Sequence, residues 1–239
     1  MYIREVHAER DVATLQAFIR ENVLGTFTTA IPHATVDTLQ STHIPWVLSA
    51  DEGKLGVLRG HIARVNPQSK VMIDATQTER ELTDDVLVLF TSPVNSYVTP
   101  RWMADTKLST GKVTPTWQFG AAQVYGRARV YHKTSDPATD AFLQAHLEAL
   151  THQHESRLPG KEWEVSEAPE SYNTRKKLAI IGIEVEITKI EGRFKVGQDE
   201  TDGDWRGIRD GFKKEGTDLG DAMVNMMEER GKSRPGISG

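Results

Sequence analysis

Apolar positions along this chain follow two rhythms. Between Glu9 and Asn22, Val12, Leu15, Phe18 and Ile19 recur every three or four residues among charges, which predicts an amphipathic helix. Gly25 ends it, and Thr26-Phe27-Thr28-Thr29 opens a strand rich in β-branched residues. His43 to Leu48 predicts a second strand, with Pro45 suited to an edge or bulge. After the turn Asp51-Glu52-Gly53-Lys54, a third strand runs through Leu55–Leu58 into Arg59-Gly60-His61. Val71–Asp74 and Val86–Phe90 are short unbroken apolar runs, which predict buried strands. From Gln123 to Tyr131 the rhythm is two: Val124, Gly126, Ala128 and Val130 face one way, Arg127 and Arg129 the other.

Asp136-Pro137 is a helix start, an acceptor at the N-cap and proline at the first helical position. The helix is expected to reach about His154 and to bury Leu143, Leu147 and Leu150. Ala179–Ile190 alternates again, and Gly192 predicts a bend or bulge before Phe194-Lys195-Val196. Residues 101–117 lack a period and read as a long functional loop. Residues 204–230 read as two short helices and 231–239 as a frayed tail. About seven strands with few helices is not a βαβ series; it is an α+β protein dominated by an antiparallel barrel or sandwich. The expected domains are a barrel over 1–198, a helical extension over 199–230 and a flexible tail over 231–239.

Composition narrows the chemistry. The 239 residues include no cysteine, which excludes disulfides, thiolate metal sites and cysteine nucleophiles. No apolar run approaches a membrane span and the first residues are not a signal peptide, so a cytoplasmic location is expected. A net charge of −5 makes direct DNA binding unlikely, because phosphates call for a basic footprint. Asp218, Asp221, Glu228 and Glu229 on the last helix argue the same way against a helix-turn-helix reading of 204–230. His146, His152 and His154 read as helix-surface residues; no HExxH motif, Walker loop or G-x-S-x-G elbow occurs, and no metal site is expected.

Three clusters carry chemistry. Leu58 to Pro67 delivers Arg59, Gly60, His61, Arg64 and Asn66 from a strand end into a turn, with His43 upstream; such a turn can be an anion site or only a solvated surface. Ser96-Tyr97-Val98-Thr99-Pro100-Arg101-Trp102 and Gly111-Lys112-Val113-Thr114-Pro115-Thr116-Trp117-Gln118 each set tryptophan beside donors, as a flat ligand with an acidic tail requires and as ordinary packing also produces.

The order of these motifs resembles the PaiB family of FMN-binding "negative transcriptional regulator" proteins. The matching runs are Ser41–Leu48, Leu58–Pro67, Ser96–Trp102, Thr114–Phe119, Leu150–Glu155, Ala168–Tyr172 and Ile180–Asp199, so the likeness covers essentially residues 1–230. It implies an FMN-binding split β-barrel of six to eight strands with peripheral helices, related to pyridoxamine-phosphate oxidase. It also implies a homodimer with flavin at the subunit interface. Carried over, Arg59, Gly60, His61 and Arg64 would hold the phosphate, with Asn66 bracing the turn. His43, Thr99, Thr116 and Gln118 would meet the polar edge or ribityl chain. Trp102 or Trp117 would cover the ring, and Lys195 and Gln198 would touch flavin or close the dimer. The implied activity is FMN-dependent oxidoreduction of a small molecule, with His43 or Tyr97 as proton donor. Alternatives are an indirect regulator without catalysis, or a haem-binding or haem-degrading barrel. The chain departs from the family at Arg101, Gln118, Phe119, Gln68-Ser69 and Gly197-Gln198-Asp199.

Overall fold

The computed structural model describes residues 1–231; the rest of the expected tail, 232–239, lies outside the described residues. In chain order the strands are β1 (Ala8–Glu9), β2 (Leu24–Ala30), β3 (Leu39–Pro45), β4 (Val47–Ser49), β5 (Val57–Ala63), β6 (Val86–Thr91), β7 (Ser96–Val98), β8 (Thr116–Tyr131) and β9 (Ile180–Lys195). The helices are α1 (Val12–Glu21), α2 (Pro67–Ala75), α3 (Asp105–Ser109), α4 (Pro137–Glu155), α5 (Glu170–Leu178), α6 (Asp202–Glu215) and α7 (Asp218–Gly231). This is the expected α+β class. The chain folds into two compact units, each assembled from separated stretches.

The larger unit comprises Val12–Phe90 and Gln123–Ile190. Its sheet has the order β3-β2-β6-β8-β9-β5-β4 and forms an antiparallel half-barrel. Alternation sets its core: Phe27, Val88, Val124, Ala128, Ile181, Ile183 and Val185 are all buried. Register is fixed by pairs such as Phe27↔Thr42 and Gly60↔Ile183, since a one-residue slip would turn this apolar set outward. Gly126 permits close approach. A Cβ there would run into the Glu186 carbonyl oxygen and lie 2.7 Å from Val185 Cγ1.

The smaller unit comprises Met1–Asp11, Thr91–Ala122 and the chain from Glu191 onward. In it β1 pairs with the end of β9, and β7 with the start of β8. Its own core gathers Val98, Met103, Val196, Trp205, Ile208, Phe212, Met223 and Met227. The α6 stripe that supplies Trp205, Ile208 and Phe212 therefore packs, as its helical spacing predicts.

Four local expectations are corrected. Val71–Asp74 is not a strand but part of α2, because the Asn66 side chain caps Gln68 N at 2.9 Å and Pro67 occupies the first turn. The 101–117 loop contains a 3-10 turn at Pro100–Trp102 and the short α3. The α3 start is held by the buried Asp204 carboxylate, which accepts from Asp105 N at 2.8 Å and from Thr106 N and Oγ1. Gly192 does not interrupt β9; it pairs in register with Glu9. Helix α5, rich in charge and without an apolar face, was not legible as a periodic segment. Gly231 belongs to α7 rather than to the tail.

Candidate functional site

The Arg59–Asn66 stretch lies in the larger unit, and the structure does not gather its charged groups at one point. Arg59 and His61 share a face of β5, but each has protein partners. Arg59 forms a bidentate pair with Glu52 (2.8 and 2.5 Å) and also reaches Glu184 Oε2 at 3.0 Å and Ser49 Oγ at 2.8 Å. These bonds, the Glu52 pair foremost, raise its pKa further above the usual range. The β5 strand continues to Ala63, so Arg64 departs from its far end. Arg64 donates to the carbonyls of Leu178 (3.0 Å), His132 (2.8 Å) and Ile180 (3.3 Å). Burial, with no acidic partner, lowers its pKa. Gly60 is packed against Ile44 and Trp46. Asn66 braces the turn as expected, capping α2 and donating to Thr42 Oγ1 at 3.0 Å.

His61 Nδ1 meets His146 Nε2 at 2.9 Å. Burial lowers the pKa of both rings, that of His146 to about 3, so the pair is neutral. His146 is buried rather than on the helix surface, and the signal was available: it follows Phe142 and Leu143 by four and three residues, on the face that packs inward. His43 is exposed on β3, opposite Thr26.

The remaining expected residues fall together in the smaller unit. Thr116, Trp117 and Gln118 open β8, Lys195 ends β9, and Gln198 follows it. The Lys195 ammonium donates to Thr116 Oγ1. Gln198 folds back on its own turn, accepting from Val196 N at 2.8 Å and donating to Phe194 O. Trp117, half exposed, donates from Nε1 to Asn95 Oδ1 at 3.0 Å, and Tyr97 meets its ring edge-on at 6.5 Å. Thr99 caps the turn that carries Arg101. Trp102 lies against Phe212 with ring centroids 5.0 Å apart.

Gln118 stands apart. It is 1% exposed, and neither Oε1 nor Nε2 has a partner. Gly197, at φ +82°, lies so close that a Cβ there would sit 3.1 Å from Nε2. An amide offers a donor and an acceptor side by side. The pyrimidine edge of a flavin offers the complementary pair, and a nearby ammonium suits the charge that a flavin gains on reduction. The Gln118 amide thus matches that edge in hydrogen-bonding type, while the residues expected to hold the phosphate are engaged by other groups of the protein. Groups of three or more potential metal ligands do not occur among the described residues.

The family model for the "Putative FMN-binding domain" matches residues 1–189. An uncharacterized protein of Emericella nidulans is 45% identical, covering 98% of this chain and 99% of that protein. The "Protease synthase and sporulation protein PAI 2" of Bacillus subtilis is 22% identical over 98% of this chain and 100% of its own, in line with the motif resemblance. Among solved structures, the flavocytochrome Anf3 of Azotobacter vinelandii aligns with a TM-score of 0.49 and 14% identity, over 81% of this chain and 72% of that one. A likeness at that level fixes neither ligand nor activity. The family match and the relative aligned end to end decide the matter: this chain belongs to the FMN-binding domain family, whose cofactor is FMN.

Proposed function

We propose that this protein is a flavin-dependent oxidoreductase in which Gln118 reads the polar edge of FMN. The observation that carries the reading is the doubly unpartnered amide of Gln118, since evolution rarely leaves a buried donor and acceptor both unsatisfied without a use. FMN, when bound, supplies two-electron transfer to or from a small molecule. The chain's own residues position it: Gln118 orients the edge, and Lys195, steadied by Thr116, offsets negative charge beside it. Gly197, at φ +82°, lets its turn approach the amide closely, where a Cβ would sit 3.1 Å from Nε2. Tyr97, half exposed beside Trp117, is a group in this unit able to hand a proton to a substrate.

In this reading the protein works as a homodimer, and the exposed ring of Trp117 is aromatic surface for a second copy to cover. The acidic balance and the carboxylates Asp218 and Asp221 in the first turn of α7 favour a redox role over direct promoter binding. The test is an FMN titration of the purified chain, followed by anaerobic NADPH and NADH with absorption near the flavin bands. Saturable binding, bleaching by a reductant and reoxidation by an acceptor are expected. A protein whose melting temperature and spectrum ignore added FMN sinks the reading. Light scattering with and without FMN tests the dimer.

A further inference from the structure

Arg101 stands at a position where the chain departs from the family pattern, and the flavin reading makes no use of it. Although the chain carries a net charge of −5, its Thr91–Ala122 stretch in the smaller unit is locally basic. Arg101, Lys107 and Lys112 face a single carboxylate in that stretch, Asp105. Asp105 is already occupied, accepting from Thr201 Oγ1 at 3.0 Å and from Gly203 N at 2.9 Å. An exposed arginine ordinarily moves freely in water or lies against a carboxylate. Arg101 is exposed, and no ion pair engages it among the described residues. Its Nε is nevertheless held, donating to Thr99 Oγ1 at 3.3 Å. Both terminal nitrogens are left without a protein partner, as a fork that can hold a carboxylate by two parallel bonds.

The backbone beneath the fork is fixed. Thr99 Oγ1 also accepts from Arg101 N at 3.3 Å, Trp102 N donates to Thr99 O at 3.1 Å, and Met103 N donates to Pro100 O at 3.2 Å. Trp102 packs on Phe212 and sits so close to α6 that a Cβ at Gly211 would overlap its ring. Met103 belongs to the core of the unit. Arg101 is thus presented to solvent from a turn whose next two residues are anchored, so little ordering is needed to bind. Tyr97 and Thr99 flank the fully buried Val98 in extended backbone, and their side chains therefore leave the chain on the same side. Two residues of strand span about 6.7 Å, which sets the distance along the chain from Tyr97 to the hydroxyl that ties the fork. A small molecule whose carboxylate lies on Arg101 can extend its other end toward Tyr97.

We propose that Arg101 is the specificity-determining residue of this protein: it anchors the carboxylate of a small organic acid whose far end lies toward Tyr97. The proposal rests on the oxidoreductase reading, in which Tyr97 serves the substrate, and deepens it by naming that substrate as a carboxylic acid. Arginine matters here for its shape as well as its charge, because lysine offers a point charge in place of the fork.

The probes are benzoate and benzamide, which share a shape and differ in charge. Each is titrated by calorimetry into the full chain, first without flavin and then saturated with FMN. Benzoate is expected to bind at least about tenfold more tightly than benzamide. Arg101→Gln should abolish that preference, Arg101→Lys should retain about a third of it, and Lys107→Gln should keep it. Because Arg101 is exposed, its variants should melt within about 2 °C of the parent. No preference in either state, an Arg101→Gln chain that keeps it, or an equal loss in Lys107→Gln overturns the proposal. On the FMN-saturated chain benzoate should also shift the flavin absorption bands, and Arg101→Gln should lose the shift. Binding that leaves those bands untouched overturns the assignment of the acid as substrate. A chain that ignores FMN defeats the flavin reading instead, and the flavin-free titration then decides by itself whether Arg101 anchors an acid.

Discussion

Replacing Gln118 by leucine separates a ligand-reading amide from a merely structural one. This side chain is 1% exposed, with both polar atoms unpartnered. A buried donor or acceptor left unsatisfied costs about 1–3 kcal/mol, and Gln118 holds one of each. Leucine has a comparable volume and no polar atoms, so removing both penalties should outweigh imperfect packing of its branched end. A net gain of about 1–5 kcal/mol is expected for Gln118→Leu without flavin, after about 1 kcal/mol is set against strain. For a chain of this size each kcal/mol moves the midpoint by about 2–4 °C, so the variant should melt several degrees above the parent.

With FMN the order should invert. The parent gains stability from the ligand, while the variant loses the bonds to the polar edge and should bind FMN at least about tenfold more weakly. Urea denaturation of flavin-stripped protein, paired with fluorescence titration of FMN, measures both halves. A flavin-free variant less stable than the parent would show that the amide has a structural partner after all. Unchanged FMN affinity would refute the assignment of Gln118 to the flavin.

Other expectations follow from single contacts. Gly126→Ala would drive a Cβ into the Glu186 carbonyl between two central strands, and should destabilise by about 3 kcal/mol or more in urea, or block folding. His61 and His146 are held neutral by burial, below the ordinary histidine value of 6.5, His146 at about 3. The unfolded chain binds protons at these groups before the folded chain does. The stability associated with burying neutral His146 is therefore full above pH 6.5 and is lost as pH falls toward 3, at about 1.4 kcal/mol per pH unit. His146→Leu should flatten the pH dependence of the urea midpoint in that window, and an unchanged slope would refute the neutral pair. Burial alone would raise the pKa of Asp204, but bonds from Thr106, Asp105 N and Thr201 lower it on balance. Its contribution is thus present above about pH 4 and lost on acidification through the lowered value, and Asp204→Asn should remove that loss while loosening α3 near neutral pH, seen as faster amide exchange at Asp105 and Thr106.

Much of the local structure was legible because local physics decides it. Asp136-Pro137 fixed the start of α4, and the alternation of β8 and β9 fixed which residues face inward, since a strand has no other way to bury half its side chains. Motif order also pointed to FMN, which the family match supports. Short apolar runs were ambiguous: Val71-Met72-Ile73 suits a strand by composition, and only the Asn66 cap and Pro67 commit it to a helix. What tertiary structure alone decided is which charged residues are free to act. Arg59, Arg64 and His61 lie within six positions, yet one is held by Glu52 and Glu184, one by three carbonyls and one by a histidine 85 positions away. Those partners come from distant strands and helices, so no spacing in the sequence encodes them. The same holds for Gln118, whose unpaired amide is a property of the space around it rather than of its neighbours in the chain.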